Sequence, residues 1–462
     1  MIRRVHSPTP TDVLSRRSIR PERVLVLGFF CLILIGTVLL SLPIASVTRR
    51  TIGIHEALFT ATSAVCVTGL VVLDTGTAFT LFGRIIILVL IQIGGLGLMI
   101  FATLVMIALG RRISLRNRVL IRESMNTTGL SGLIRLIKWF TLMAGIIEFI
   151  GAVVLSIRFV PKYGLAKGIE NSIFHSVSAF CNAGFDLFGG FRSISQFRND
   201  SLVVMTISVL IILGGLGFFV LLEIYQNRMR FAKFSLHTKL VLVITATLLV
   251  LGFLITVSFE WDNPGTLGEM TFSEKLMNGF FQSVTFRTAG FSTVSQAALT
   301  DSSKLIGIIF MFIGASPAST GGGVKTTTIG VLVLLTFSIV RAHDSVVVFG
   351  KQISANVFKR ALTIVLISLF IVIVCACALS LSERGSDLKM IDLLFESTSA
   401  FATVGLSTVN TQMLSRFSQM FLIPVMFFGR VGPLTLAFAL ANKMEHNAKN
   451  RLHFPEDKPM IG

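Results

Sequence analysis

Residues Phe59–Leu70 read FTATSAVCVTGL, and three later stretches align with them without a gap: FHSVSAFCNAGF (Phe174–Phe185), FFQSVTFRTAGF (Phe280–Phe291) and FESTSAFATVGL (Phe395–Leu406). Each opens on Phe, reaches Gly ten residues later, at Gly69, Gly184, Gly290 and Gly405, and closes on Leu or Phe. Four copies in one register are an internal repeat, and the fold is read from it. An apolar stretch precedes each copy, and another follows whose middle carries glycine: IGGLG from Ile93, LGGLG from Leu213, IGASP from Ile313 and FGRVG from Phe428. In this second set the expected use of Gly94, Gly214, Gly314 and Gly429 is close helix packing.

Composition decides the solvent. Hydrophobic residues make up 53% of 462 and charged ones 14%, with mean hydropathy +0.81. A soluble protein of this size needs more charge on its surface, and a disordered one has far fewer apolar residues. Stretches long enough to cross a bilayer as helix are Val24–Ala45, Phe82–Leu109, Trp139–Val160, Leu202–Tyr225, Leu240–Phe259, Leu305–Val340, Val357–Leu381 and Phe417–Ala441. The expected fold is an all-α polytopic membrane protein, its eight transmembrane helices forming four tandem helix–pore-helix–helix (M1–P–M2) repeats around a central pseudo-fourfold pore.

The charge of +18 orients it. Segments 1–23, 110–138, 226–239, 341–360 and 443–462 hold 25 of the 41 Lys and Arg against 7 acids, while the alternate connections balance 14 against 14. The positive-inside rule then puts both termini in the cytoplasm. The organisation reads as a cytoplasmic N-terminus (1–23), repeat 1 (24–110), a linker (111–138), repeat 2 (139–225), a linker (226–239), repeat 3 (240–340), a linker (341–356), repeat 4 (357–442) and a cytoplasmic C-terminus (443–462). The five cysteines lie in or beside apolar stretches with no metal-like pair, and Cys375 and Cys377 are expected to pack.

A pore helix of about ten residues reaches about 15 Å, half of the hydrocarbon core. The chain must then return without helical hydrogen bonds, which is tolerated only inside protein or along a wet cavity. Glycine allows successive carbonyls to point one way, and four copies make rings of oxygens that can replace an ion's hydration shell. Each short helix also turns its negative end to the centre. Cys66–Gly69, Cys181–Gly184, Arg287–Gly290 and Ala402–Gly405 carry no carboxylate, which suits a weakly hydrated monovalent cation such as K+ better than a divalent one. Arg287 is expected to point behind its strand, onto an acidic or carbonyl partner.

On TSAVCVTGL, SAFCNAGF, TFRTAGF, SAFATVGLSTV, IGASPASTGGGVKTTT and FFGRVGPLT, the chain from about residue 20 onward resembles the Trk/Ktr/HKT superfamily of potassium-uptake proteins, in its KtrB rather than its TrkH branch. The resemblance implies K+ coordination in a selectivity filter by Val67, Thr68, Asn182, Ala183, Thr288, Ala289, Thr403 and Val404 with Gly69, Gly184, Gly290 and Gly405. It implies potassium preference from the four glycines, a homodimer, and a cytosolic RCK-type nucleotide-binding ring (KtrA/KtrC-like) as partner. The basic loops Arg111–Lys138 and Arg228–Lys239 are candidate docking surfaces for it.

The third M2 stretch is too long for one crossing, and Pro317 with Gly321, Gly322 and Gly323 would interrupt it at membrane depth. A polar loop over 314–328, from Gly314, can obstruct a pore and move aside, and the resemblance makes this the intramembrane gating loop. Arg430 lies in mid-span, where an arginine is costly unless paired or beside water. Its expected place is the cavity under the filter, hydrogen-bonded to gating-loop carbonyls as an electrostatic barrier. Lys325 is expected at the cytoplasmic mouth, gating or snorkelling. Glu148, inside the third span, is expected to bond a neighbouring helix or an arginine, and His175 to be packed or hydrogen-bonded.

The functional expectation is potassium uptake at the plasma membrane. K+ is the transported ion, Na+ a candidate activator, and no cofactor or nucleic acid is bound. The alternative is a sodium- or proton-coupled potassium symporter through the same pore. No paired intramembrane aspartates, HExxH, GxGxxG or P-loop supports an enzyme.

Overall fold

The computed structural model describes residues 21–97, 100–101, 133–342, 345–433 and 435. Most of the two terminal segments and residues 111–132 of the first linker lie outside these. The chain is an all-helical membrane protein with several apolar spans.

Four long helices head the four repeats: α1 (Pro21–Ser41), α4 (Leu133–Tyr163), α8 (Leu236–Glu260) and α12 (Ala355–Ser382). Their most apolar stretches are only 28% buried, so most of each faces outward, where lipid serves as well as a protein core. Behind them lie four short helices: α2 (Ile54–Cys66), α5 (Leu165–Phe180), α9 (Phe272–Thr285) and α13 (Met390–Ala402). The last turns of all four are buried, with Phe59, Phe174, Phe281 and Phe395 in the core. Polar caps start the elements where the chain turns. Asp200 accepts from two amides at the head of α6 (Ser201–Leu216), and Thr271 and Glu274 form a reciprocal capping box on α9.

The second spans are not straight. Phe82–Leu109, Leu202–Tyr225 and Phe417–Ala441 were expected to be continuous, but the helices α3 (Leu81–Leu96), α6 and α14 (Arg416–Val431) each end at a glycine. Gly97, Gly217 and Gly432 take φ of 93°, 95° and 91°, a conformation that L side chains rarely adopt and that turns the chain out of the helix. In the second repeat α7 (Phe218–Asn227) leaves α6 at 98°. In the third, the break between α10 (Asp301–Phe312) and α11 (Thr326–Val340) spans 313–325, three residues short of the expected loop end. The tandem Thr326–Thr328 begins α11 rather than ending the loop.

One small departure from all-α lies in the linker after α11. Strands β1 (Val347–Val348) and β2 (Lys351–Gln352) form a two-stranded antiparallel hairpin. Phe349 and Gly350 have φ of 49° and 76°, positive at both central residues as the tightest hairpin turns require.

Candidate functional site: a ring of four backbone strands

The four repeat glycines meet. A Cβ added to Gly184 would lie 2.7 Å from Gly290 Cα; on Gly290, 2.9 Å from Gly184 Cα and 3.5 Å from Gly405 Cα; on Gly405, 2.9 Å from Gly69 Cα; and on Gly69, 3.2 Å from Gly184 Cα. The chain order of the repeats is thus the order around a closed ring, with no room for a side chain between neighbours.

Backbone conformation repeats with it. The first residue of each strand, Val67, Asn182, Thr288 and Thr403, is left-handed, with φ of 58°, 58°, 65° and 53°; two residues on, the glycines have 88°, 69°, 78° and 92°. Alternating handedness turns successive carbonyls to one side. Glycine adopts this freely, but Val67, Thr288 and Thr403 are β-branched, for which positive φ is a true outlier. Such strain persists where the surroundings over-determine it, characteristically at functional sites.

The amides are drawn the other way, into the short helices. Thr68 N donates to Ser63 O (2.8 Å) and Gly69 N to Ser63 Oγ (3.1 Å). Val404 N and Gly405 N repeat the pair on Ser399 (2.8 and 3.0 Å). Ala183 N donates to Ser178 O (2.7 Å), while Ser178 Oγ reaches Phe185 O (2.8 Å). The third copy has Val284 in the serine register; Thr285, one residue later, accepts from Ala289 N through its carbonyl (3.1 Å) and donates to Phe291 O through its hydroxyl. These hydroxyls went unassigned in the sequence, although the serine six residues before three of the four glycines was a visible signal. Asn182 donates to Ala179 O and Ile211 O (3.1 and 3.2 Å) and accepts from Thr288 Oγ1 (3.2 Å), tying the second strand to the third. On one side of the ring opens a cavity of about 530 Å³ whose lining includes the four glycines, Asp74, Asp186, Gln296 and Asn410.

On its other side the broken third span closes in. A Cβ on Gly321 would collide with Thr288 Oγ1, one on Gly322 would lie 3.0 Å from Thr403 Cγ2, and one on Gly323 3.3 Å from Ala402 Cα. The loop is anchored to the second repeat, where Thr320 Oγ1 donates to Phe180 O (3.1 Å) and Ser316 N to Gly215 O (3.1 Å). Gly314 sits against the Gly322 carbonyl and donates its own amide to Val324 O (2.9 Å). Arg430 joins loop and wall, donating through Nη1 to Thr320 O and through Nη2 to Gly94 O and Gly95 O (3.2 Å to the latter). Lys325 does not extend toward a mouth: it turns back and donates to Gly321 O (2.7 Å).

The second glycine set packs. Added Cβ atoms on Gly94, Gly214 and Gly429 would strike the carbonyls of Val65, Phe180 and Phe401 at the ends of three of the short helices. His175 bonds Asn171 O (2.7 Å), accepts from Leu187 N (3.4 Å) and stacks on Phe188. Arg287 is 5% exposed, and its Nε and Nη2 have no hydrogen-bond partner among the described residues, against the expected acidic or carbonyl contact.

Comparison with known proteins bears on this arrangement. The family of TrkH, described as cation transport protein, matches residues 25–452. The chain is 41% identical to "Ktr system potassium uptake protein B" of Bacillus subtilis, over 96% of this chain and 97% of that one. It is 40% identical to "Potassium/sodium uptake protein NtpJ" of Enterococcus hirae, over 97% and 98%. Among solved structures, the potassium transporter TrkH from Vibrio parahaemolyticus superposes with a TM-score of 0.71 at 18% identity, covering 93% of this chain and 86% of that one. At that identity the likeness speaks for the fold.

Proposed function

The chain belongs to the TrkH family of cation transport proteins, and on that premise we propose how its four strands conduct potassium. It is a multi-pass membrane protein, the potassium-uptake membrane subunit of a Ktr/Trk transport system, and a transporter rather than an enzyme.

In this reading the four M1–P–M2 repeats, with the boundaries drawn from the sequence, surround one pseudo-fourfold pore. The selectivity filter consists of Val67–Gly69, Asn182–Gly184, Thr288–Gly290 and Thr403–Gly405. The observation that carries it is the shared backbone of the ring: amides bonded into the pore helices and alternating handedness leave the carbonyls to line the axis. A dehydrated K+ exchanges water oxygens for these carbonyls, and the C-terminal ends of the pore helices favour its charge. The 530 Å³ cavity is the outer vestibule, and the loop under Thr288 and Thr403 is the gate. Gly321, Gly322 and Gly323 let backbone approach the filter where no side chain fits, and Gly314 supports them from the opposite edge. Arg430 and Lys325 hold the loop by its carbonyls and add positive charge below the filter, so the closed loop obstructs and repels; ions pass when it shifts.

The basic segments orient both termini to the cytoplasm. There the subunit, as a homodimer, meets other Ktr components, which we take to be a nucleotide-binding ring docked on the basic linkers. Rb+ uptake into liposomes bearing the full chain, with and without a Na+ gradient, tests the function. Uptake down the Rb+ gradient in the absence of Na+ is expected, and no uptake of either ion would sink the reading. The name of the NtpJ relative keeps a sodium-coupled symporter as the second reading; strict dependence on the Na+ gradient would favour it.

A further inference from the structure

Glu148 is a carboxyl in the middle of the long α4 helix, 8% exposed, and no lysine or arginine forms an ion pair with it among the described residues. An ionisable group at such depth is costly and marks function by default. Packing does not require it. Ser176 Oγ of the second pore helix donates to Glu148 O (2.6 Å), and Ser283 Oγ of the third makes the same contact to Leu249 O (2.8 Å). Leucine therefore serves where Glu148 stands in the neighbouring repeat.

Its carboxyl touches two polar groups. Gln92 Nε2, on α3, donates to its oxygens at 3.0 and 3.1 Å. That fixes which end of the Gln92 amide faces the filter: Oε1 accepts from Cys181 Sγ at 3.4 Å, and the thiol also lies 3.9 Å from Glu148 Oε1. Cys181 is fully buried and immediately precedes the filter strand Asn182–Gly184. A Cβ on Gly95 would lie 2.6 Å from Cys181 Sγ, and Gly95 O is held by Arg430.

We propose that Glu148 is a positioning residue for ion selection, setting the second filter strand through Gln92 and Cys181 against the same stretch of α3 that Arg430 grips. Without the carboxyl, Gln92 Nε2 loses its acceptor, the amide is free to rotate, and the thiol loses its fixed partner. The second strand then keeps only its own Ser178 and Asn182 bonds, and its quadrant of the carbonyl ring loosens while the other three are untouched. A looser quadrant accommodates a smaller or partly hydrated ion, so discrimination suffers before conduction does.

The inference rests on the filter assignment above. Its test is competition of Na+ with Rb+ uptake by the full chain in liposomes, for the parent protein and for Glu148→Ala, Glu148→Gln and Gln92→Leu. Glu148→Ala and Gln92→Leu should each lower Rb+-over-Na+ discrimination by at least about fivefold, with a higher KM for Rb+ and maximal uptake kept, as expected for losing one buried hydrogen bond. The pair combined should be no worse than either alone, because both break one link. Glu148→Gln, whose amide oxygen can still accept from Gln92, should stay within about twofold of the parent. Unchanged discrimination in Gln92→Leu, which leaves α4 intact, would overturn the proposal, as would Glu148→Gln failing as badly as Glu148→Ala. A parent protein that fails to distinguish Rb+ from Na+ would instead defeat the filter assignment.

Discussion

The second and third repeats place the same backbone in front of opposite chemistry. Cys181 and Arg287 hold one register, each preceding its strand of the ring by one residue. Behind Cys181 stand a carboxyl and an amide, Glu148 and Gln92; in the matching positions around Arg287 the sequence has Leu249 and Ile212. In the second repeat the ionisable group is an acid on a supporting helix; in the third it is a base next to the strand itself, with Nε and Nη2 unbonded among the described residues. What repeats fourfold is therefore the main chain, which an ion would feel directly. The side chains behind it match in the first and fourth copies, on Ser63 and Ser399, and differ in the second and third.

That comparison is open to experiment. The largest effect is expected at the shared backbone. Gly405→Ala forces a Cβ to within 2.9 Å of Gly69 Cα and onto the Thr68 carbonyl, at a φ of 92°. Rb+ uptake should fall more than about tenfold, since strain of roughly 1–3 kcal/mol at left-handed angles adds to the clash. Uptake near the parent level would mean that the ring is not the ion path. The next effect belongs to one side chain only. Arg430→Ala removes the donors that hold Thr320, Gly94 and Gly95 carbonyls. Passive Rb+ flux should rise several-fold with the filter's ion preference unchanged, and unaltered flux would leave Arg430 a mere anchor. The smallest effect is expected at Arg287. Arg287 has no ion pair among the described residues, so its removal strands no opposite charge and lifts the cost of burying its own. Arg287→Met should thus keep uptake within about twofold and thermal stability equal or higher; a marked loss of either would reveal a bond that Arg287 makes only during transport.

Legibility followed the same division. The four glycines and their order were plain in the sequence, because a strand that allows no side chain admits one residue type at that point. The bend of the third span was plain too, since proline and three successive glycines cannot continue a helix. The breaks in the other second spans were not, although Gly97, Gly217 and Gly432 stand in three of the quoted motifs. A single glycine in an apolar run is far more often a packing site than a break, and Gly94, Gly214 and Gly429 nearby do pack. Left-handed Val67, Thr288 and Thr403 were beyond reach, because β-branched residues carry no sign of a conformation that only their neighbours impose.

By itself the sequence determined that the chain lives in a bilayer, that it is built of four like units, and that those units end in bare backbone without a carboxylate. These are properties of composition and period, which each segment states alone. Tertiary structure decided which groups stand behind each strand, where Arg430 and Lys325 reach, and that Glu148 meets Gln92 rather than an arginine. Those partners lie as far as 336 residues apart in the chain, and only packing the repeats into a ring brings them within hydrogen-bonding distance.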